Sequence, residues 1–206
     1  TFLMLKIPFV DYGITSSDAI FFEGIFRNPD FPNLSQNKNS LFRMASMTKP
    51  ITAYLALAIL EDNGINLHDD VGKYVPEIDD LEIAYKEGNV IKYQKNNVPI
   101  SFHHLLNFTS GHAYEHHDPI ISELLSKKEI APMKIGDDSF LQAPLVFAPG
   151  SRWGYGISYG WLGKAIEAIS GVGLDENLKK YLCQPLGLEK TSFNPSQSSR
   201  DTLAPV

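Results

Sequence analysis

At 206 residues, with 43% hydrophobic and 20% charged side chains, the chain has an ordinary globular composition and enough length for one or two domains. A formal net charge of −6, with basic residues never running beyond a pair such as Lys127-Lys128, argues against nucleic acid or an anionic membrane as a partner. No apolar segment reaches bilayer length, and the single cysteine, Cys183, excludes an internal disulfide and a multi-cysteine metal site.

Thr1-Phe2-Leu3-Met4-Leu5-Lys6 has neither an initiator methionine nor a charged region leading to a cleavage site. It reads as an interior start, and the chain is expected to be soluble and cytoplasmic. Residues 9–26 read as two strands around Ser16-Ser17-Asp18, followed by a polar loop over 27–40. Residues 51–60 are rich in helix formers and close on Glu61-Asp62-Asn63-Gly64, with Pro50 in the first turn and Gly64 as the terminating glycine. Residues 67–76 predict a turn and a short helix stopped by Pro76, and residues 83–93 a small hairpin around Glu87-Gly88-Asn89. Further helices are expected over 101–107, 120–128, 159–170 and 174–182. A loop punctuated by proline and glycine separates the second and third of these. Two strands do not make a stable sheet alone, so further strands are expected after Val206.

Ser46-Met47-Thr48-Lys49 stands at the start of the first apolar helix. A serine three residues ahead of a lysine there presents a hydroxyl and an amine on one face. In that geometry a lysine can activate a serine nucleophile, and the helix dipole favours a developing alkoxide. A bare S-x-x-K arises roughly once per 200–250 positions, so context decides. Ser35-Gln36-Asn37-Lys38 has the same spacing but lies in a polar run without apolar periodicity and reads as a surface loop. The alternative for Ser46 is a capping serine beside a solvated lysine. A tyrosine from elsewhere, in Trp153-Gly154-Tyr155, could complete a proton relay.

Other catalytic patterns compete. Gly156-Ile157-Ser158-Tyr159-Gly160 fits the nucleophile elbow G-x-S-x-G, but a loop-like stretch precedes it instead of a buried strand, and no histidine follows His117. His112-Ala113-Tyr114-Glu115-His116 fits H-x-x-E-H, yet it spans too few residues between Gly111 and Pro119 for a stable helix and lacks an evident third ligand. His103, His104 and His68 read as packing or surface residues, Cys183 as a small buried hydrophobe, and the sequons at Asn33 and Asn107 as weak signals. No phosphate-binding glycine loop occurs, which disfavours a nucleotide enzyme.

Taken jointly, the segments resemble the serine β-lactamase and penicillin-binding superfamily, in the branch of class C β-lactamases, family VIII carboxylesterases and fungal transesterases. Leu41-Phe42-Arg43-Met44-Ala45-Ser46-Met47-Thr48-Lys49 is similar to its first motif. Leu67-His68-Asp69-Asp70-Val71 with Tyr74-Val75-Pro76 resembles the segment after the active helix. Ile100-Ser101-Phe102-His103-His104-Leu105-Leu106-Asn107-Phe108-Thr109-Ser110-Gly111 resembles its H-L-L-x-x-T-S-G signature. Phe147-Ala148-Pro149-Gly150-Ser151-Arg152-Trp153-Gly154-Tyr155 resembles the approach to its tyrosine, and Gln184-Pro185-Leu186-Gly187-Leu188 with Thr191-Ser192-Phe193 a later segment.

The resemblance implies Ser46 as the acylated nucleophile and Lys49 as the amine that takes or relays its proton. Tyr155 would be the second base, and Trp153 and Ile157 substrate-binding residues. The backbone N–H of Ser46 would form half of an oxyanion hole. Lysine would need desolvation or a neighbouring cation to lower its pKa. It implies no metal and no cofactor. β-Lactamases of this branch carry Y-x-N, whose asparagine holds the substrate amide. Here Ile157 takes that place, and an apolar group leaves a buried amide unpaired. Tyr155-Gly156-Ile157 and Tyr114-Glu115 resemble the esterase and transesterase members, so a small-molecule ester is the expected substrate. A β-lactamase or D-alanyl carboxypeptidase, and a non-catalytic binding or sensor domain, remain the alternatives.

The branch's third motif, K/H/W-x-G, belongs on a strand after the tyrosine. Lys86-Glu87-Gly88 and Lys134-Ile135-Gly136 precede it, so the motif is expected beyond Val206. The expected fold class is α+β, of α/β sandwich type: an antiparallel sheet flanked by helices plus an all-helical region. The whole, 1–206, would be a partial β-lactamase-like domain. Residues 1–40 would supply the first strands of the sheet subdomain, and 41–206 the active-site helix and helical subdomain.

Overall fold

The structure, a computed structural model, describes residues 7–32, 40–134, 136–200 and 203–204. The second S-x-x-K, at Ser35, the sequon at Asn33 and the opening residues 1–6 lie outside these. The chain divides into two compact units, Thr1–Ala45 with Asn194–Val206, and Ser46–Phe193.

In the first unit, β1 (Phe9–Thr15) pairs antiparallel with β2 (Ile20–Arg27), in register from Phe9↔Arg27 to Ile14↔Phe22. The turn is held by the Ser16 hydroxyl, which accepts from the N–H groups of Asp18 and Ala19 at 3.1 Å each. Leu41 and Leu203 form a parallel bridge in the same unit.

The second unit is built on α1 (Thr48–Asp62) and α4 (Ser158–Ser170). Leu55, Ala56, Ile59 and Leu60 of α1 share one apolar core with Trp161, Leu162, Ala165 and Ile166 of α4. Each large side chain so enclosed contributes roughly 1.5–3 kcal/mol. The Trp161 indole N–H is satisfied by the Leu141 carbonyl at 3.1 Å. α1 ends as its sequence predicts: Gly64 adopts φ +64°, and the N–H groups of Gly64 and Ile65 close onto the carbonyls of Glu61 and Leu60. α4 ends likewise at Gly171, φ +71°.

Between them lie the hairpin β3 (Glu82–Glu87) and β4 (Val90–Lys95), turning at Gly88-Asn89, and two short helices. α2 (Phe102–Leu106) starts from a reciprocal cap in which the Ser101 hydroxyl accepts from His104 N–H and the His104 ring accepts from Ser101 N–H. α3 (Pro119–Ser126) starts from the Asp118 carboxylate. Two local features differ from expectation. Pro76 does not only end a turn; it opens a second 3-10 segment, Pro76–Asp80, where its missing N–H costs nothing. The last helix divides after α5 (Leu174–Leu178) into a π turn, Lys179–Cys183, because Pro185 has no N–H to give the Tyr181 carbonyl. That carbonyl instead accepts the Tyr54 hydroxyl at 3.3 Å.

Helices, with small antiparallel strand pairs, make a mixed α and β architecture of the expected class. No helix among the described residues is long and apolar enough to cross a membrane.

Candidate active site

Ser46 lies in a single 3-10 turn, Ala45–Met47, that runs directly into α1. The residue before it, Ala45, holds φ +44°, and Phe108, which packs on the site described below, holds φ +61°. A side chain in that left-handed region costs about 1–3 kcal/mol, a strain that persists where the surroundings over-determine the backbone. One turn along, the half-buried Lys49 donates from Nζ to Ser46 Oγ at 3.2 Å.

Tyr155 comes from the loop before α4. Its backbone is clamped by residues 108–114: Gly154 N–H donates to the Phe108 carbonyl at 2.8 Å, and the Tyr155 carbonyl accepts from Tyr114 N–H at 3.1 Å. The approach is too close for a side chain at Gly156, where a Cβ would lie 2.5 Å from the Ala113 nitrogen. So held, the Tyr155 hydroxyl donates to Ser46 Oγ at 2.9 Å. Ser46, Lys49 and Tyr155 thus converge within the helical unit.

The electrostatics assign the charges. Burial pulls the Lys49 pKa down, but hydrogen bonds and charge interactions with Tyr155 and Tyr114 outweigh it, and the net displacement is upward. Its Nζ lies 5.0 Å from the Tyr155 ring centre and 5.6 Å from that of Tyr114. The requirement that desolvation lower the amine is therefore not met. Lys49 is an ammonium near neutral pH, because two phenols stabilise the cation more than partial burial penalises it. Tyr155 moves the other way: its hydrogen bond with Ser46, then Lys49, hold its phenol below the ordinary value. A hydroxyl, a phenol that ionises more easily and a fixed cation can together move a proton off Ser46.

Aromatic rings enclose Tyr155, with Phe108 at 5.0 Å, Tyr114 at 5.3 Å, His117 at 5.8 Å and Trp153 at 6.4 Å. Trp153 is 62% exposed and stacks beside Tyr155, open to a bound molecule. Ile157 is not open in that way. At 7% exposure it packs into the core, and with Tyr114, Met133 and Phe140 it lines a recess of about 30 Å³, the room of one water-sized group. Tyr114 was absent from the expected site residues; its only signal was Tyr114-Glu115 following Thr109-Ser110-Gly111.

The competing motifs fall elsewhere. Ser158 of the elbow-like segment is fully buried as the first residue of α4. His112 is buried, whereas the side chain of His116 is 82% exposed, so the two histidines do not share a site. Cys183 is buried, its thiol 3.5 Å from the Thr191 carbonyl.

The Beta-lactamase family pattern matches residues 32–206. The chain belongs to the beta-lactamase family. Among curated relatives, ML-236A carboxylate methylbutanoyltransferase mlcH of Penicillium citrinum is 33% identical over 159 residues, 75% of this chain and 38% of that protein. The lovastatin esterase of Penicillium rubens is 28% identical over 165 residues, 78% of this chain and 41% of that protein. Among solved structures, a mutant simvastatin synthase of Aspergillus terreus superposes with a TM-score of 0.81 at 23% identity, which shows the shared fold. It covers 96% of this chain and 50% of its own. The chain thus spans about 40% of the length of these curated family members.

Proposed function

We propose that this chain carries the acyl-transfer site of a serine esterase or acyltransferase acting on small-molecule carboxylic esters. The observation that supports it is the meeting of three groups from two distant segments, Tyr155 hydroxyl to Ser46 Oγ at 2.9 Å and Lys49 Nζ to the same oxygen at 3.2 Å.

In this mechanism the Tyr155 phenolate, held by the Lys49 ammonium, takes the Ser46 proton as Oγ bonds to the ester carbonyl carbon. The carbonyl oxygen becomes an oxyanion beside the Ser46 backbone N–H at the dipole end of α1. When the carbon–alkoxide bond breaks, Tyr155 returns the proton to the departing alcohol. Water or a second alcohol then gives its proton to Tyr155, attacks the acyl carbon and releases Ser46, to which the proton returns. The exposed Trp153 ring would receive an apolar part of the substrate. Ester substrates are favoured over amides because Ile157, in the place of the Y-x-N asparagine, packs into the core and offers no hydrogen bond to an amide. A methylbutanoyltransferase and an esterase among the relatives agree with acyl transfer to an alcohol or to water. We also propose a division of labour over the chain: 1–40 supply the first strands of the sheet subdomain, and the active-site helix and helical subdomain lie within 41–206, in the unit Ser46–Phe193.

Hydrolysis of p-nitrophenyl butyrate by the full-length protein and its Ser46→Ala variant tests the proposal. Turnover confined to the parent supports it, equal rates overturn it, and stoichiometric acylation without turnover identifies a sensor. Nitrocefin hydrolysis rivalling ester hydrolysis would move the assignment to a β-lactamase.

A further inference from the structure

Two motifs that supply no catalytic group meet inside the helical unit. His112 Nδ1 lies 2.9 Å from Ser110 Oγ, and Ser110 Oγ lies 2.8 Å from Ser158 Oγ. All three side chains are buried, His112 at 1% and both serines at 0% exposure. No substrate reaches them. Burial pushes the His112 pKa down to about 3, so the ring is neutral.

We infer that the chain His112–Ser110–Ser158 positions Tyr155: it locks the start of α4 to residues 108–114 so that the Tyr155 hydroxyl stays on Ser46. The inference rests on the reading of Tyr155 as the proton carrier. The geometry carries it. Hydrogen bonds join residues 108–114 to residues 154–158 at three places: Phe108 with Gly154, Tyr114 with Tyr155, and Ser110, itself bonded to His112, with Ser158. The first two are backbone bonds that any sequence could make. The third depends on side chains and attaches three residues beyond Tyr155, at the point where the loop becomes helix. Gly111, φ +101°, would place a Cβ 2.5 Å from the Phe147 carbonyl oxygen, so the turn between Ser110 and His112 packs closely on the Phe147 backbone and admits no side chain there.

The choice of residue adds a second argument. His112 Nε2 is buried with no hydrogen-bond partner among the described residues. Such an orphan costs about 1–3 kcal/mol, which an aliphatic side chain would avoid. Mere filling of the space would favour leucine; the ring is justified by what Nδ1 holds.

The test reads the Tyr155 phenol directly, without substrate, so it stays decisive even if the chain proves inactive. Tyrosines labelled with 13C at Cζ are titrated by NMR, with Tyr155 assigned from its loss in Tyr155→Phe. Lys49, Tyr114, His117 and Tyr159 face this phenol and are unchanged in every variant used. Ser110→Ala and Ser158→Ala should each move the Tyr155 pKa up towards the ordinary phenol value, and the double variant no further, since either break severs one chain. His112→Leu, which removes the orphan and keeps an apolar core, should do the same while retaining or raising the thermal midpoint. It also serves if the serine variants fail to fold. An unchanged Tyr155 titration in His112→Leu, or in serine variants that fold with a lowered midpoint, would reduce the chain to core packing and overturn the inference.

Discussion

Tyr155 donates its hydroxyl to Ser46 Oγ at 2.9 Å across 109 positions of sequence. Neither residue is held there by its own helix alone. Ser46 is presented by the turn entering α1, Tyr155 by a loop clamped against residues 108–114, and Lys49 lies between them in charge.

Tyr155→Phe removes one oxygen from a ring already packed by Phe108 and Tyr114. The fold should tolerate it, with a thermal midpoint close to the parent's. The kcat for p-nitrophenyl butyrate should fall about 10²–10⁴-fold, the usual worth of a positioned proton carrier. An undiminished kcat would remove Tyr155 from the chemistry.

The pH profile follows from the two displaced pKa values. Activity requires the phenol ionised and the amine protonated. The kcat/KM should therefore rise with pH through an apparent value below the ordinary tyrosine value of 10.0 and fall through one above the ordinary lysine value of 10.5. Because the groups interact, these values belong to the pair. Tyr114→Phe removes a hydroxyl that holds up the Lys49 pKa, so the descending limb should move to lower pH.

Buried His112 links stability to pH. Its pKa is about 3 in the fold against 6.5 when exposed, so the unfolded chain binds a proton that the folded one refuses. The associated stability is complete above 6.5 and is lost as pH falls towards 3, at up to about 1.4 kcal/mol per pH unit. Urea midpoints between pH 7 and 5, above most carboxylate titrations, should show this slope. It should flatten in His112→Leu, leaving the weaker contribution of the same sign from His104, whose pKa burial also lowers.

At Gly156, alanine has no room beside the Ala113 nitrogen and the His112 carbonyl carbon, each 2.5 Å from the added Cβ. Gly156→Ala should cost roughly 1–3 kcal/mol of stability through overpacking. It should also lower kcat, because the segment forced outward is the one that carries Tyr155. Urea denaturation and steady-state kinetics on the same preparation measure both.

Local chemistry made much of the fold legible in advance. Gly64 ended its helix where expected, the helix expected over 159–170 stopped at Gly171, and Gly88-Asn89 turned the hairpin. These signals act within a few residues, so the sequence displays them whole. The π turn over 179–183 was not legible, since it depends on Pro185 withholding an N–H and on Tyr54, 127 positions from Tyr181, donating its hydroxyl to the Tyr181 carbonyl.

Ser46 and Lys49, three residues apart where a 3-10 turn runs into α1, needed only sequence, because the spacing that brings a hydroxyl and an amine together is local. The sign of the Lys49 displacement needed the tertiary structure, since it is the difference between partial burial and two phenols delivered from residues 114 and 155. The same holds for Ser110, His112 and Ser158, which the sequence scattered among unrelated motifs. Long-range contacts follow from packing the whole unit, and no local pattern encodes which distant side chain will fill a neighbouring space.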